Sequence, residues 1–231
     1  MTHRSAHPPQ KHNSYDIRNK LLLFESQELL HKNASWRGDR YAIVFFNKDL
    51  NYVTTRKSKQ CQRSIRLLKQ NKKKPVTWLK PKRKNVTAMK RIEQKRDLLF
   101  SILKRTRFLE DRTSGLKPSS KYGNHRGTFI SFGVSKTRKN RKVREEQGLY
   151  TRKNTNQNNT KYKAMYIALK DYVNTMIPQF FGTDDSNAFH MCIVAKNSQC
   201  EWHHDAGNVG PAVITTIGDF EGGHLLVEDT S

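Results

Sequence analysis

The sequence predicts an α+β fold, and three observations carry that prediction. Runs rich in β-branched and aromatic residues recur at 41–46 (YAIVFF), 127–134 (GTFISFGV), 189–195 (FHMCIVA), 211–218 (PAVITTIG) and from His224 to Val227. Two longer stretches, 86–108 and 161–177, repeat apolar residues at helical spacing. The third observation is what lies outside these runs. Only 35% of residues are hydrophobic and 28% are charged, so part of the chain is expected to stay out of a core.

Each element has its own signal. Residues 1–20 are polar and contain Pro8-Pro9, which predicts a disordered tail. Residues 21–31 (LLLFESQELLH) read as a short helix. Residues 41–46 read as a buried strand and 51–55 (NYVTT) as a second. Asn47-Lys48-Asp49 between them suggests a hairpin. In 86–108, Val86, Met89, Ile92, Leu99, Ile102 and Leu103 form a stripe with Lys and Arg on the other face. In 161–177, Tyr162, Met165, Tyr166, Leu169, Tyr172, Val173 and Met176 share one face, and Pro178 stops the helix. That aromatic face is read as core packing. After the strand at 211–218, Asp219–Gly223 reads as a tight turn into the last strand. These elements divide the chain into a tail (1–20), a basic, partly helical region (21–126) and a folded region (127–231).

Charge is unevenly distributed. The net charge is +24, and residues 51–153 carry 32 Lys+Arg against 6 Asp+Glu. A segment this basic repels itself and attracts anions. Nucleic acid, DNA or RNA, is the expected partner. Lys72, Lys73, Lys74, Lys80, Lys82, Arg83 and Lys84 offer phosphate contacts, with Trp78 among them for base stacking. No zinc-finger or RNP-type pattern is present, so sequence-specific readout is not expected. An anionic membrane surface ranks lower as a partner, because the apolar stripe of 86–108 is only fair. Three cysteines, no signal-peptide core and no apolar run of about 18 residues predict an intracellular protein with no membrane span. The Lys72–Lys84 cluster fits nuclear import, although any basic cluster satisfies that pattern.

The candidate chemistry sits near the end, at His203-His204-Asp205. In extended backbone, residues i and i+2 face the same way, so His203 and Asp205 present an imidazole and a carboxylate together. One more His would complete a two-His-one-carboxylate set for non-haem Fe(II), leaving coordination positions open. Alone the triplet is weak, since 9 His and 20 acidic residues make it arise by chance about once in such a chain.

Its surroundings are more specific. His203, Asp205, Asn208 and Gly210-Pro211 are followed by a β-branched strand, then by Gly218-Asp219-Phe220, Gly222-Gly223 and Leu225–Val227. This pattern resembles the Fe(II)/2-oxoglutarate-dependent dioxygenases, nearest the protist, algal and fungal branch related to the thymine and 5-methylcytosine hydroxylases. The resemblance covers about residues 127–231. It implies a double-stranded β-helix (jelly-roll) core, with Fe(II) and 2-oxoglutarate as cofactors and hydroxylation of a nucleic-acid base as the activity. His203 and Asp205 would be metal ligands. Asn208 and Gly210 would shape the turn beside the metal, and Asp219, Gly222 and Gly223 would form the tight connection.

The family pattern also requires a later His as third ligand and a following Arg for the cosubstrate carboxylate. Neither is matched after Asp205: the last Arg in the chain is Arg152. The expectation is therefore a fragment whose third ligand, cosubstrate-binding residue and later barrel strands lie beyond Ser231, leaving the edge after Val227 unpaired and this chain inactive by itself. His224 is a poor substitute ligand, and the lone Cys200 is weak evidence for zinc. The alternative is a non-catalytic basic nucleic-acid-binding protein with a remnant oxygenase fold.

Overall fold

The computed structural model describes residues 9–47, 75–81, 85–108, 126–133, 156–177, 189, 191–205 and 207–229. The described residues form a mixed α+β fold, with two antiparallel sheets and two helices. The strands are β1 (His12–Tyr15), β2 (Leu21–Phe24), β3 (His31–Asn33), β4 (Trp36–Phe46), β5 (Val76–Leu79), β6 (Arg126–Gly133), β7 (Met191–Gln199), β8 (Ala212–Gly222) and β9 (Leu225–Glu228). The helices are α1 (Val86–Arg105) and α2 (Asn156–Met176). One sheet has the order β5-β2-β8-β4-β7-β6, and the other has the order β1-β9-β3.

Side-chain alternation along the strands creates two cores. In β2, Leu21 and Leu23 point to one face while Leu22 and Phe24 point to the other. The first face continues through Tyr41, Ile43, Phe45, Val213 and Ile217, and the helices cover it with Leu99, Leu103, Leu169, Tyr172 and Val173. The second face holds a smaller cluster in which Ala212 and Ile214 of β8 meet Leu225 and Val227 of β9. The second sheet therefore closes over the first on the side away from the helices.

Both helices match their sequence signals. Asn85 caps α1, its Oδ1 accepting from the Ala88 N–H at 2.8 Å, and Lys104 and Arg105 complement the dipole at its last turn. Lys95 ties α1 to Asp171 of α2 at 2.9 Å.

Several expectations are corrected. Residues 21–31 are not a helix but β2, a turn and the start of β3, with Glu28 N–H and Leu29 N–H both donating to Glu25 O. A continuous apolar run buried on both faces carries no period that separates strand from helix. Within the stretch expected to be a disordered tail, His12–Tyr15 pairs with β9. The division at 126/127 does not separate the strands, because β2 and β4 are hydrogen-bonded to β8, and β4 also to β7. The strand read at 41–46 extends back to Trp36. The proposed partner at 51–55 lies outside the described residues, as does Pro178. Asp219–Gly222 is not a turn but the end of β8, paired with β4; only Gly223-His224 connects β8 to β9.

The largest correction concerns the edge after Val227. β9 is paired on both sides, to β1 through His12↔Glu228 and to β3 through His31↔Val227. Residues near the start of the chain provide the partners that were expected beyond Ser231.

Candidate metal centre

That pairing also brings a third ligand to His203 and Asp205. His31 and His203 form an isolated antiparallel bridge, each N–H donating to the other's carbonyl at 3.1 Å. Residues paired this way project side chains to the same face. Their imidazole centroids lie 4.3 Å apart. Asp205 faces both rings: Oδ1 is 3.5 Å from His203 Nε2, and Oδ2 is 3.8 Å from His31 Nε2. The three ligand atoms all lie within 4.8 Å of one another.

Local bonding prepares each group to hold a cation. His31 Nδ1 lies 2.9 Å from Leu29 O, and His203 Nδ1 lies 2.7 Å from Glu201 O. A carbonyl can only accept, so each Nδ1 carries the proton. Both imidazoles therefore present Nε2 toward Asp205, the arrangement seen where an outer partner orients a metal-binding His. Donors about 2.1 Å from one ion sit roughly 3 Å apart. The observed spacings, up to 4.8 Å, would have to contract around a bound ion. Two imidazoles and one carboxylate suit a divalent transition metal and leave half of an octahedral shell open.

A second layer fixes the carboxylate. Asn208, buried in the turn before β8, donates from Nδ2 to Ser26 Oγ at 3.0 Å and to Asp205 Oδ2 at 3.2 Å. The Asp205 N–H donates to Ser26 O at 2.9 Å, and the Asn208 N–H donates to Asp205 O at 3.1 Å. The β2–β3 turn thus grips the ligand loop. Gly210 completes that loop at φ +73°.

The electrostatics follow from burial and proximity. Burial pulls His31 down to about 4, opposed by the Asp205 carboxylate. Burial alone would also lower His203, but hydrogen bonds to Asp205 and Cys200 prevail and hold it well above the usual imidazole range. Asp205 is pulled below the usual carboxylate range despite its own burial, chiefly by His203 and His31. Without metal, the cluster holds its proton between His203 and Asp205, and a cation would displace that proton.

A second buried charge lies on the next strand. Arg40 of β4 is 0% exposed, and no carboxylate among the described residues pairs with it. Its Nη2 donates to Asn33 Oδ1 at 3.1 Å, while Nε and Nη1 have no hydrogen-bond partner among the described residues. Trp36 and Phe220 rings flank the guanidinium at 5.2 and 6.0 Å. Burial lowers Arg40 to about 10. A buried guanidinium without a full set of partners is costly, so an acceptor placed against it would be stabilised. Gly223 makes the space: at φ +68°, an added Cβ would meet Arg40 Nε at 2.9 Å.

The other sequence-derived residues fall elsewhere. His224 is hydrogen-bonded to Ser14 at 2.9 Å, away from the cluster. Asp219 is exposed and lies 3.7 Å from Lys104. Trp78 sits in β5 against the smaller core, with Tyr15 edge-on and Lys20 over its ring, so it is a half-buried packing residue rather than a free stacking platform. Lys80 is exposed beside it, whereas Lys72, Lys73, Lys74, Lys82, Arg83 and Lys84 lie outside the described residues. Ser26, His31, Asn33 and Arg40 were missed by sequence reasoning. A His followed by an Arg could have signalled His31 and Arg40; Ser26 and Asn33 carry no such signal.

Fold and site together define an α+β protein carrying a His-His-Asp group at metal-binding distance. No family model, curated protein or solved structure matches the chain. No helix among the described residues is long and apolar enough to cross a membrane.

Proposed function

We propose that this chain is an Fe(II)/2-oxoglutarate-dependent dioxygenase built on a circularly permuted jelly roll. The observation that carries the reading is the convergence of His31, His203 and Asp205, with the buried Arg40, open at Nε and Nη1 among the described residues, on β4, the next strand along the chain.

The strand pairing supports the permuted fold. In an eight-stranded jelly roll, the first strand pairs with the eighth, the second with the seventh, the third with the sixth and the fourth with the fifth. Counting from β7, the corresponding pairs here are β7 with β4, the His203 bridge with β3, β8 with β2, and β9 with β1. In that count His31 and Arg40 fall after His203 and Asp205. They take the places of the later His and the carboxylate-binding Arg that the resemblance requires.

Fe(II) at this site would supply oxygen activation coupled to oxidative decarboxylation of 2-oxoglutarate. The chain's own contribution is positional. Two Nε2 atoms and one carboxylate would hold the metal, and Asn208 with Ser26 fix the carboxylate. Arg40 would offer its Nε and Nη1 to the far carboxylate of the cosubstrate in a buried setting, where a charge-assisted bond is strongest. A nucleic-acid base is the proposed substrate, supported by the net charge of +24.

The test is succinate formation from 2-oxoglutarate by the purified chain with Fe(II) and oxygen. Turnover that disappears in His31→Ala, His203→Ala and Asp205→Ala is expected. Turnover that survives in His31→Ala would sink the proposal. Salt-sensitive nucleic-acid binding with no turnover by the wild-type chain would favour the non-catalytic alternative.

A further inference from the structure

We propose that Asn33 is a specificity-determining residue: it positions Arg40 with a neutral acceptor and so keeps the guanidinium's charge available for a carboxylate ligand. This inference rests on the reading of Arg40 given above and adds the feature that makes the pocket select an anion.

The geometry is over-determined. Asn33 lies two residues after His31 on the same face of β3. Its Nδ2 donates to Ser198 O and to Cys200 Sγ, each at 3.4 Å. Because the Ser198 carbonyl can only accept, the amide cannot rotate end for end, and Oδ1 must face Arg40. Oδ1 accepts from Nη2 at 3.1 Å. One of the five guanidinium N–H groups is thereby fixed, while Nε and Nη1 remain open. A carboxylate in place of the amide would still accept from Nη2, although it would lose the donor to Ser198 O. It would also neutralise the charge and complete a buried ion pair inside the protein, leaving an incoming carboxylate with a repulsive neighbour. Asparagine is nearly the same size and carries no charge. The choice of amide over acid at position 33 therefore separates an anion site from a structural salt bridge.

The prediction is tested on the full chain with Co(II) as the metal probe and 2-oxoglutarate as the ligand, following both by calorimetry. In Asn33→Asp, Co(II) affinity should stay within about threefold of wild type, because His31, His203 and Asp205 are untouched. Affinity for 2-oxoglutarate should fall on the order of a hundredfold, the scale of a buried charge pair. Asn33→Ser, which keeps a neutral oxygen, should retain 2-oxoglutarate binding within about tenfold. Wild-type affinity in Asn33→Asp would overturn the inference, as would equal losses in the Asp and Ser variants or loss of Co(II) binding in Asn33→Asp. If Asn33→Asp does not fold, the Ser variant alone decides, with a loss of a hundredfold counting against. A wild-type chain that binds Co(II) but not 2-oxoglutarate would instead overturn the assignment of Arg40, and with it the proposed function.

Discussion

His31 Nε2 lies 3.8 Å from Asp205 Oδ2, although the two residues come from opposite ends of the chain. The contact exists because β3 pairs with β9 and, through the His31–His203 bridge, with the segment that carries Asp205. A metal held there would fasten the N-terminal strands to the C-terminal ones, so metal affinity and folding should be linked.

The first prediction separates His31 from the alternative His224. His31→Ala should weaken Co(II) binding on the order of a hundredfold or more, since losing even an outer partner of a metal ligand costs roughly ten- to a hundredfold. His224→Ala should leave affinity unchanged, because that ring bonds Ser14 instead. Calorimetric titration of both variants checks the assignment. The wild-type chain should also gain melting temperature with Co(II), and His31→Ala should not.

Asn208 gives the second prediction. Its side chain bridges Ser26 and Asp205 across 182 residues of sequence, and it is buried. Asn208→Ala should destabilise the metal-free protein by about 1–3 kcal/mol, the cost of leaving buried acceptors without a donor. It should also weaken Co(II) binding roughly ten- to a hundredfold. Asn208→Asp should do worse for the metal, because it places a second carboxyl beside Asp205 and removes the amide donor. Chemical denaturation and metal titration measure the two effects separately.

How much of this could be read from the sequence depended on how locally each feature is encoded. Helix α1 was legible because its apolar stripe lies within one segment. His203 and Asp205 were legible because a two-residue spacing in extended backbone puts both on one face. His31 was not. It ends the run LLLFESQELLH, whose apolar residues satisfy a helical pattern as readily as a strand, and nothing nearby marks it as a ligand. Its role follows from register between strands far apart in sequence. Arg40 was hidden for a similar reason: within WRGDRYAIVFF it reads as one of many surface charges, and only the packing of the Gly223 connection against β4, with the Trp36 ring of the same strand beside the guanidinium, buries it.

The third prediction concerns pH in the metal-free protein. His31 in the folded state sits at about 4, below the ordinary 6.5 of an unfolded chain. Between those values the unfolded state binds more protons, so this residue's contribution to stability is full above about 6.5 and is lost as pH falls toward 4. His203 has the opposite sign. Its value is raised, so its contribution is full below about 6.5 and declines as pH rises. NMR of the imidazole groups should find His31 neutral at pH 6 while His203 is still protonated at pH 8. Asp205→Asn should bring His203 back toward the ordinary range. A neutral His203 at pH 8 in the wild-type, metal-free protein would contradict the ion pair.

The fourth prediction uses Gly223 to test the Arg40 pocket without touching any hydrogen-bonding group. Its φ of +68° lies in the region that costs a residue with a Cβ on the order of 1 kcal/mol, and the new methyl would meet Arg40 Nε at 2.9 Å, Arg40 Cδ at 3.0 Å and Trp36 Cβ at 3.2 Å. The β8–β9 connection cannot move away freely, because the Gly223 N–H is bonded to Ser35 O at 2.9 Å and Leu225 begins a strand paired on both sides. The guanidinium is therefore the part that shifts. Gly223→Ala should keep Co(II) affinity near wild type, lower the melting temperature by several degrees and weaken 2-oxoglutarate binding at least tenfold. A variant that loses stability but binds 2-oxoglutarate as well as wild type would show that Arg40 does not hold the ligand. Joint loss of metal and cosubstrate binding would show that the connection supports the metal centre itself. Calorimetric titration of Co(II) and then of 2-oxoglutarate, on one preparation, distinguishes these outcomes.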